Sequence, residues 1–515
     1  MVSIVHASAP GRIGTGGPGR LNLWGAAAFL ALAALFLGFD LSLHPIVLWD
    51  ESRLAVNALE MSQRGFSLVT TYGFQPDLWN TKPPLLIWME AGSIRFFGPS
   101  EWALRLPSFL AALATVALVM RFSWRLGRSR FVALAAPSML LLSPGYFGSH
   151  AGQSADYEML LCLFATAYVL LLFELIHQKR PGPGRVLLCG LLIAGACLTK
   201  GVAGLVPGTG VFAYVFFTGR WPRLFRTPWY AVAGLVVGVL VGGFYLLREH
   251  AAPGYLKAVM SNELAGRYLN GMNGHIQAPY YYLEYLMVFL LPPSLPSPLF
   301  ALGPMLLLLL AAPFLRWKPT TSAAFLTYAN FVALALLVVY SVSRTKIFWY
   351  IVPIYPIVSI ALAILAERLL NMLPHRPGEP APIARLVVAI MAIYMVGDAL
   401  AQKFVLLPPV ENTPQARYGL VFAQLNARGL RHIRTLDAGV DNSDNLVDYT
   451  PQRYFYTLVW RQRGLDIREQ DPDQPVALAP GEVLVTCDGR YLDWVRARGP
   501  SLTTVPDCLA VSQGG

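Results

Sequence analysis

Charge is what this sequence has least of. Only 13% of its 515 residues are Asp, Glu, Lys or Arg, against roughly 25% in a soluble globular chain, so most of the chain has no aqueous surface to cover. With 55% apolar residues and a mean hydropathy of +0.49, that shortfall excludes a soluble enzyme and points to a polytopic membrane protein. Acids are scarcer than bases, 29 against 40. The basic surplus is confined to short segments between apolar runs: RFSWRLGRSR (121–130), HQKRPGPGR (177–185), TGRWPRLFR (218–226) and RWK (316–318). That is the positive-inside pattern, and without a continuous basic face it excludes a nucleic-acid partner. Also missing are a P-loop, a GxGxxG opening a βαβ unit and an HExxH helix, so nucleotide cradles and zinc-peptidase chemistry are set aside. Cysteines number five. Cys162, Cys189 and Cys197 fall in apolar runs and read as packing residues, while Cys487 and Cys508 fall in the polar C-terminal region and form a candidate disulfide if that region faces an oxidising compartment.

What is present is a succession of apolar runs. A span needs about 20 such residues, and candidates lie at 21–43, 102–122, 131–149, 157–177, 185–199, 201–218, 227–247, 322–342, 347–369 and 384–402. The stretch 281–316 is broken by Pro292, Pro293, Pro296 and Pro298 and adds one crossing or more. The expected fold class is therefore a polytopic α-helical membrane protein of about 11–13 transmembrane helices. The basic segments alternate so that residues 1–20 form a cytoplasmic tail, 21–402 the membrane domain, and 403–515 a small non-cytoplasmic α/β domain. In that last domain 414–428 reads as a helix, and 432–436, 483–486 and 501–505 read as strands. The opposite face then receives the loops 44–101 and 248–280, the turn at Lys200 and the turn 343–346.

Loop 44–101 has features of its own. Leu54, Ala58, Leu59 and Met61 recur at helical spacing, predicting an amphipathic helix over 50–64 that lies at the membrane interface. Pro83 and Pro84 suit the first turn of a second helix over 85–97. Ionisable groups survive on this side in five places: Asp50/Glu51/Arg53, Lys82, Asp156/Glu158, Glu263/Arg267/His275 and Arg344/Lys346. A single such group is usually a solvated loop charge, but five clusters at span boundaries on one face suggest a site. Outside the cytoplasm ATP is not expected, so a substrate activated in advance is needed, and a polyprenyl-phosphate sugar is one. Its leaving group is a phosphate monoester with a second pKa of about 6, which departs without a general acid but needs cations. The attacking hydroxyl needs a base. A carboxylate with several Lys and Arg fits that reaction, and a single displacement would invert the anomeric centre. A non-catalytic lipid-sugar transporter is the alternative class; it predicts paired repeats with helices broken at the midplane, and no repeat is evident.

These residues also form a series. WDESR (49–53), TKPPL (81–85), EWALRLP (101–107), ADYEML (155–160), LTKG (198–201), the loop from Asn262 to His275 and SRTK (343–346) resemble, in order, the segments of the bacterial C-type (GT-C) glycosyltransferases. That superfamily includes the aminoarabinose transferases of lipid A, the rhizobial galacturonosyltransferases and, more distantly, the protein O-mannosyltransferases. The resemblance covers about residues 20 to 370. It implies Asp50 as base or acceptor-positioning acid and Asp156 as a second essential carboxylate. Lys82, Arg344, Arg53, Lys200 and Lys346 would hold the donor phosphate. Glu51, Glu158, Glu263, Arg267, His275, Tyr281 and Tyr282 are further candidates, the tyrosines as a sugar or lipid groove or as an interfacial aromatic belt. Many relatives carry a Glu before the KPP lysine that contributes, with the loop histidine, to a metal site. Here that residue is Thr81, so no metal is assigned to His275. The implied partners are a polyprenyl-phosphate sugar donor, the lipid bilayer, and an acceptor that is lipid A, lipopolysaccharide or another envelope glycolipid or glycan, with a protein hydroxyl as the alternative. The implied location is the bacterial inner membrane, with the active site periplasmic.

Overall fold

The computed structural model describes residues 23–148, 150–271, 275–288, 320–372, 413–437, 449–471 and 478–512, with isolated positions at 393–403 and at 474. Among the described residues, six helical stretches are long and apolar enough to cross a membrane: Glu101–Gly127, Tyr157–His177, Pro183–Phe217, Trp229–Ala251, Thr321–Val342 and Phe348–Asn371. The chain is a multi-pass membrane protein. Leu23–Gly38 and Arg130–Leu141 are shorter apolar helices. Of the expected stretch 281–316 the helix Tyr281–Val288 is described; the rest of it, and the expected crossing at 384–402 apart from scattered positions, lie outside the described residues.

The helix starts follow from capping. Ser100, Ser129 and Thr320 each stand in extended backbone just before a helix and accept from the backbone N–H three residues on, which satisfies one of the four orphaned donors of a helix start. Pro183–Phe217 holds both of the spans expected at 185–199 and 201–218. Its first helix ends at Lys200, a 3-10 turn follows over Gly201–Leu205, and a second helix runs Val206–Phe217. The turn lies close against the helix before it. A Cβ on Gly204 would sit 2.5 Å from the carbonyl carbon of Ala196 and 2.6 Å from the nitrogen of Cys197, so only glycine allows the chain to fold back there.

The helix expected over 50–64 forms as Asp50–Arg64, but it is packed within protein rather than exposed along one face. Every residue from Glu51 to Met61 is buried, between the helix Leu85–Phe97 on one side and the helix Pro451–Gln462 of the C-terminal region on the other. Its polar face is satisfied by protein rather than by water. Asn57 Nδ2 donates to Thr71 O at 2.7 Å, and Glu60 accepts from Thr71 Oγ1 at 2.5 Å and from Tyr454 OH at 3.2 Å.

The C-terminal region forms a four-stranded sheet in the order Asp466–Gln470, His432–Leu436, Glu482–Thr486, Leu509–Ser512. The first two pairings are parallel and the last antiparallel. The expected helix over 414–428 appears as Pro414–Arg417 followed by Tyr418–Ala427. The strand expected at 501–505 is not one. Its own side chains take the backbone donors: Thr503 N donates to Ser501 Oγ at 3.2 Å and Val505 N to Thr503 Oγ1 at 3.2 Å. That local bonding competes with a ladder, and the strand falls on Leu509–Ser512 instead.

Cys487 and Cys508 are bonded, as expected. The crosslink closes a loop of 21 residues, which should contribute about 3 kcal/mol to this region. A lowered melting temperature after phosphine reduction, reversed on reoxidation, is the expected result.

Candidate active site

Asp50 is the first residue of its helix, and the residue before it, Trp49, has φ 77°. A tryptophan in that left-handed region is strained, and here it is held by stacking on Tyr449 of the C-terminal region at 5.6 Å. On the facing segment His150 also has a positive φ, 60°, and its ring stacks on Trp349 at 3.8 Å. Six residues on, Asp156 caps the helix Tyr157–His177. The two strained residues thus aim two acidic groups and an imidazole at one point. Asp50, His150 and Asp156 each offer a ligand atom within 4.8 Å of the others.

The members of this trio differ in their bonding. Asp156 is buried, meets His150 Nδ1 at 3.0 Å and accepts from Tyr157 N at 2.7 Å. Burial works against its charge, but the bond from His150 and the charges of His150 and Lys200 outweigh it and hold the carboxyl well below the usual range. Burial likewise disfavours a charged His150, and Asp156, with Asp50 and Glu158 behind it, raises the imidazole above its ordinary value. Both shifts favour the charged forms of the pair. Asp50 is half-buried and its carboxylate accepts no hydrogen bond among the described residues. His150, with its pKa raised, contributes fully below its ordinary 6.5 and loses that contribution as pH rises through the raised value. Asp156, with its pKa lowered, contributes above its ordinary 3.8 and loses that only as pH falls through the lowered value. Melting curves of wild type and His150→Gln, from about pH 5 to about pH 9, should differ at the acid end and converge at the alkaline end. Parallel curves would mean that His150 carries no charge.

Glu51, adjacent to the base candidate, has a structural part. It is wholly buried and takes a two-pronged contact from Arg105, Nε to Oε1 at 2.7 Å and Nη2 to Oε2 at 3.0 Å. It also accepts from Ala155 N at 2.8 Å. Arg105 in turn ties down the carbonyls of Leu41, His44 and Pro45. Glu51 thus fixes Asp50 and Asp156 relative to each other without facing a substrate. Removing one partner of such a buried pair strands the other charge, and Glu51→Gln is expected to cost about 3–5 kcal/mol, read as a large drop in melting temperature in detergent. Glu90, also wholly buried, has no hydrogen bond to either oxygen. Burial, and then the charges of Glu51 and Asp156, push it well above the usual carboxyl range, so it stays protonated.

Beside the trio lies a cavity of about 190 Å³. Lys82, Lys200 and Arg267 bring three positive charges to it, Glu158 and Glu263 two negative ones, and Leu161, Val202, Val206, Val259 and Val339 an apolar wall. Lys200 pairs with Glu158. Arg267 donates to Tyr350 OH at 2.7 Å and lies 3.7 Å from Glu263. Burial would raise Glu263, but Lys82 and Arg267 outweigh it and keep it ionised. Thr81 occupies the position before the lysine and donates to Glu263 at 2.8 Å, so a carboxylate distant in sequence reaches that place. Lys82 is buried and makes no hydrogen bond or ion pair among the described residues; its Nζ stands 5.3 Å from the ring of Tyr157.

Several expected site residues are placed elsewhere. Arg53 is spent on Asp77, with two bonds of 2.8 Å, and its guanidinium lies 3.7 Å from the ring of Tyr72. Burial lowers it, but Asp77 more than compensates. Its role is to hold the loop, since Asp77 also takes Asn57 and the backbone of Asn80, and Asn80 bonds Tyr157 OH. Arg344 and Lys346 do not line the cavity of Lys82. They line a separate open cavity of about 520 Å³ beyond Ser343, and Lys346 Nζ donates to Ser343 O at 2.6 Å. His275 contributes its carbonyl, which accepts from Lys346 N at 2.9 Å. Tyr282 is buried and braces Ile347 through its hydroxyl at 3.1 Å, and Tyr281 packs on Tyr282 and Tyr285; neither lines the cavity. His150, Arg105 and Tyr350 were not anticipated. His150 carried one signal, a lone polar ring in the break between two spans just before an acid.

A divalent cation would suit two carboxylates and an imidazole, so the trio of Asp50, His150 and Asp156 is the place among the described residues where one would bind. His150 would have to be neutral to act as a ligand, and Asp156 favours its protonated form.

Residues 81–244 match the family model described as dolichyl-phosphate-mannose-protein mannosyltransferase, a stretch that holds four of the seven motif segments. The undecaprenyl phosphate-alpha-4-amino-4-deoxy-L-arabinose arabinosyl transferase of Yersinia pestis (strain Pestoides F) is 26% identical over 418 residues, covering 78% of this chain and 72% of that protein. The enzyme of the same name from Aeromonas salmonicida (strain A449) is 26% identical over 363 residues, 68% of this chain and 61% of its own length. The chain thus spans less than two thirds of that relative. The crystal structure of ArnT from Cupriavidus metallidurans bound to undecaprenyl phosphate matches with a TM-score of 0.68 at 18% identity, covering 96% of this chain and 98% of that one. The fold is the C-type glycosyltransferase fold, and the resemblance carried by the motifs extends over most of the chain.

Proposed function

We propose that this chain, similar in fold and sequence to the C-type membrane glycosyltransferases, moves a sugar from a polyprenyl-phosphate carrier to an envelope glycolipid such as lipid A. The observation that carries this reading is Lys82, a buried cation that makes no hydrogen bond or ion pair among the described residues, in a cavity lined by three cations, two acids and an apolar wall. A lipid phosphate would use both the cations and the apolar wall. Its phosphate would sit against Lys82, Lys200 and Arg267, its first prenyl units against the valine-rich wall, and its sugar toward Asp50.

The reaction that follows is a single displacement. The acceptor oxygen attacks the anomeric carbon and its proton passes to Asp50. The bond from that carbon to the phosphate oxygen breaks, and the electron pair leaves with the phosphate. Asp156 and His150 do not exchange protons in this scheme; their charge pair fixes the far wall of the site. Inversion at the anomeric carbon is the expected stereochemical outcome. Transfer to a protein hydroxyl would use the same donor and base, and the match to the protein mannosyltransferase family model is the observation that favours that second reading.

The basic segments favour a cytoplasmic N-terminus, and with the disulfide of the C-terminal region they support a site on the periplasmic side of the inner membrane. The test is transfer in proteoliposomes from a panel of labelled polyprenyl-phosphate sugars, with extracted envelope lipids or a Ser/Thr-rich peptide as acceptor. Transfer to lipid supports the main reading and transfer to peptide the second. Lipid flipping without transfer would sink both.

A further inference from the structure

The helix Tyr157–His177 carries Asp156 at one end. At about 1.5 Å per residue, His177 lies roughly 30 Å from the acid trio. At that far end the segments 178–181 and 220–230 enclose another cavity, of about 430 Å³, larger than the one beside Lys82. Lys179 and Arg180 line it from the first segment, Arg220 and Arg223 from the second, and among the described residues no acid lines it. The acid closest in sequence, Glu174, is already engaged by Arg125 and Arg185.

Positive-inside sorting accounts for cations at a membrane boundary. It does not account for four of them converging on a concave space, nor for Arg220, whose Nε is buried there without a hydrogen-bond partner among the described residues. A buried guanidinium N–H with no acceptor is costly, and an anion in the cavity would supply one. Beside the polar Gln178 and Thr227, the rest of the wall has an apolar and aromatic part made by Leu175, Ile176, Leu224, Trp229 and Tyr230. It continues into the helix Trp229–Val237, whose Val232 and Leu235 are exposed on a segment that crosses the membrane. A phosphate above and an acyl chain along that helix describe one kind of molecule.

We infer that this cavity binds the headgroup of an anionic phospholipid from the leaflet opposite the candidate active site. Basic pockets between helices at this depth suit such headgroups. The inference stands whether or not the glycosyl-transfer reading holds, because it uses none of the same residues.

The full chain, purified in detergent, would be titrated with cardiolipin, phosphatidylglycerol and phosphatidylcholine and followed by native mass spectrometry and thermal melting. Wild type should retain the two anionic lipids over phosphatidylcholine and melt higher with cardiolipin. Arg220→Ala/Arg223→Ala should bind cardiolipin about tenfold more weakly and lose the rise. If that variant does not fold, Lys179→Ala/Arg180→Ala, which changes two exposed side chains, should weaken binding in the same sense. Equal cardiolipin retention by wild type and variants would overturn the inference. So would an equal rise in melting temperature with inorganic phosphate alone, which would assign the cavity to a soluble anion.

Discussion

Asp50→Asn should lower sugar transfer by about 10²- to 10⁴-fold while leaving retention of the polyprenyl phosphate unchanged. The choice of Asp50 over Asp156 rests on what each carboxylate has left to offer. Asp156 is committed to His150 and to the backbone of Tyr157, and its charge is held so firmly that it is a weak base. Asp50 accepts no hydrogen bond among the described residues and is only half-buried, so it has lone pairs free for an incoming hydroxyl. Asparagine keeps its size and removes the proton acceptor. The donor phosphate is held elsewhere, so the loss should fall on kcat, with donor affinity intact. Asp156→Asn should instead disturb His150 and lower the melting temperature as well as the rate. Full activity in Asp50→Asn together with none in Asp156→Asn would exchange the two roles.

The elements most legible in the sequence were those bounded by local chemistry. The helix Leu85–Phe97 follows a Pro-Pro pair, and Tyr157–His177 starts at an Asp that caps it; both matched the expected ranges because start and stop signals lie within a few residues of the ends. The burial of Asp50–Arg64 was not legible. Its polar face has the spacing of an interfacial helix, and the partner that covers it, Tyr454 on Glu60, lies 394 residues away.

The same limit governs the site. Asp50, Lys82 and Asp156 stood out because a charge beside an apolar run is costly, and the structure brings all three to one end of the bundle. Glu51 and Arg53 stood out for the same reason, yet their counter-charges, Arg105 and Asp77, lie 54 and 24 residues away. Sequence shows that a charge must be compensated but not by which residue, so it does not separate a charge awaiting a substrate from one already paired. His150 shows the converse. Its part depends on a left-handed turn that brings it back onto Asp156, and nothing in GYFGSHAGQS (145–154) encodes that turn through a glycine or asparagine at position 150 itself.

Lys82 makes no hydrogen bond or ion pair among the described residues, although its charge acts on Glu263, and Lys82→Met should cost about 10²- to 10³-fold in transfer. Methionine keeps the length of the side chain and its packing against Tyr157 while removing the charge. The donor is a phosphodiester with one negative charge; as the bond to the anomeric carbon breaks, the phosphate moves toward a monoester with about −1.5 to −2 at neutral pH. A cation in a cavity with an apolar wall therefore gains more from the transition state than from the bound donor. Most of the loss should appear in kcat, with a smaller rise in KM for the donor. Lys200 and Arg267 already face Glu158 and Glu263, so removing either should cost less than removing Lys82, and the order of those three losses is itself a test. Lys82→Arg should recover part of the rate, since it restores the charge with a broader head. A Lys82→Met enzyme with wild-type kcat would mean that the lysine only balances Glu263, and the donor phosphate would then have to be sought beyond Ser343, where Arg344 lines the open cavity.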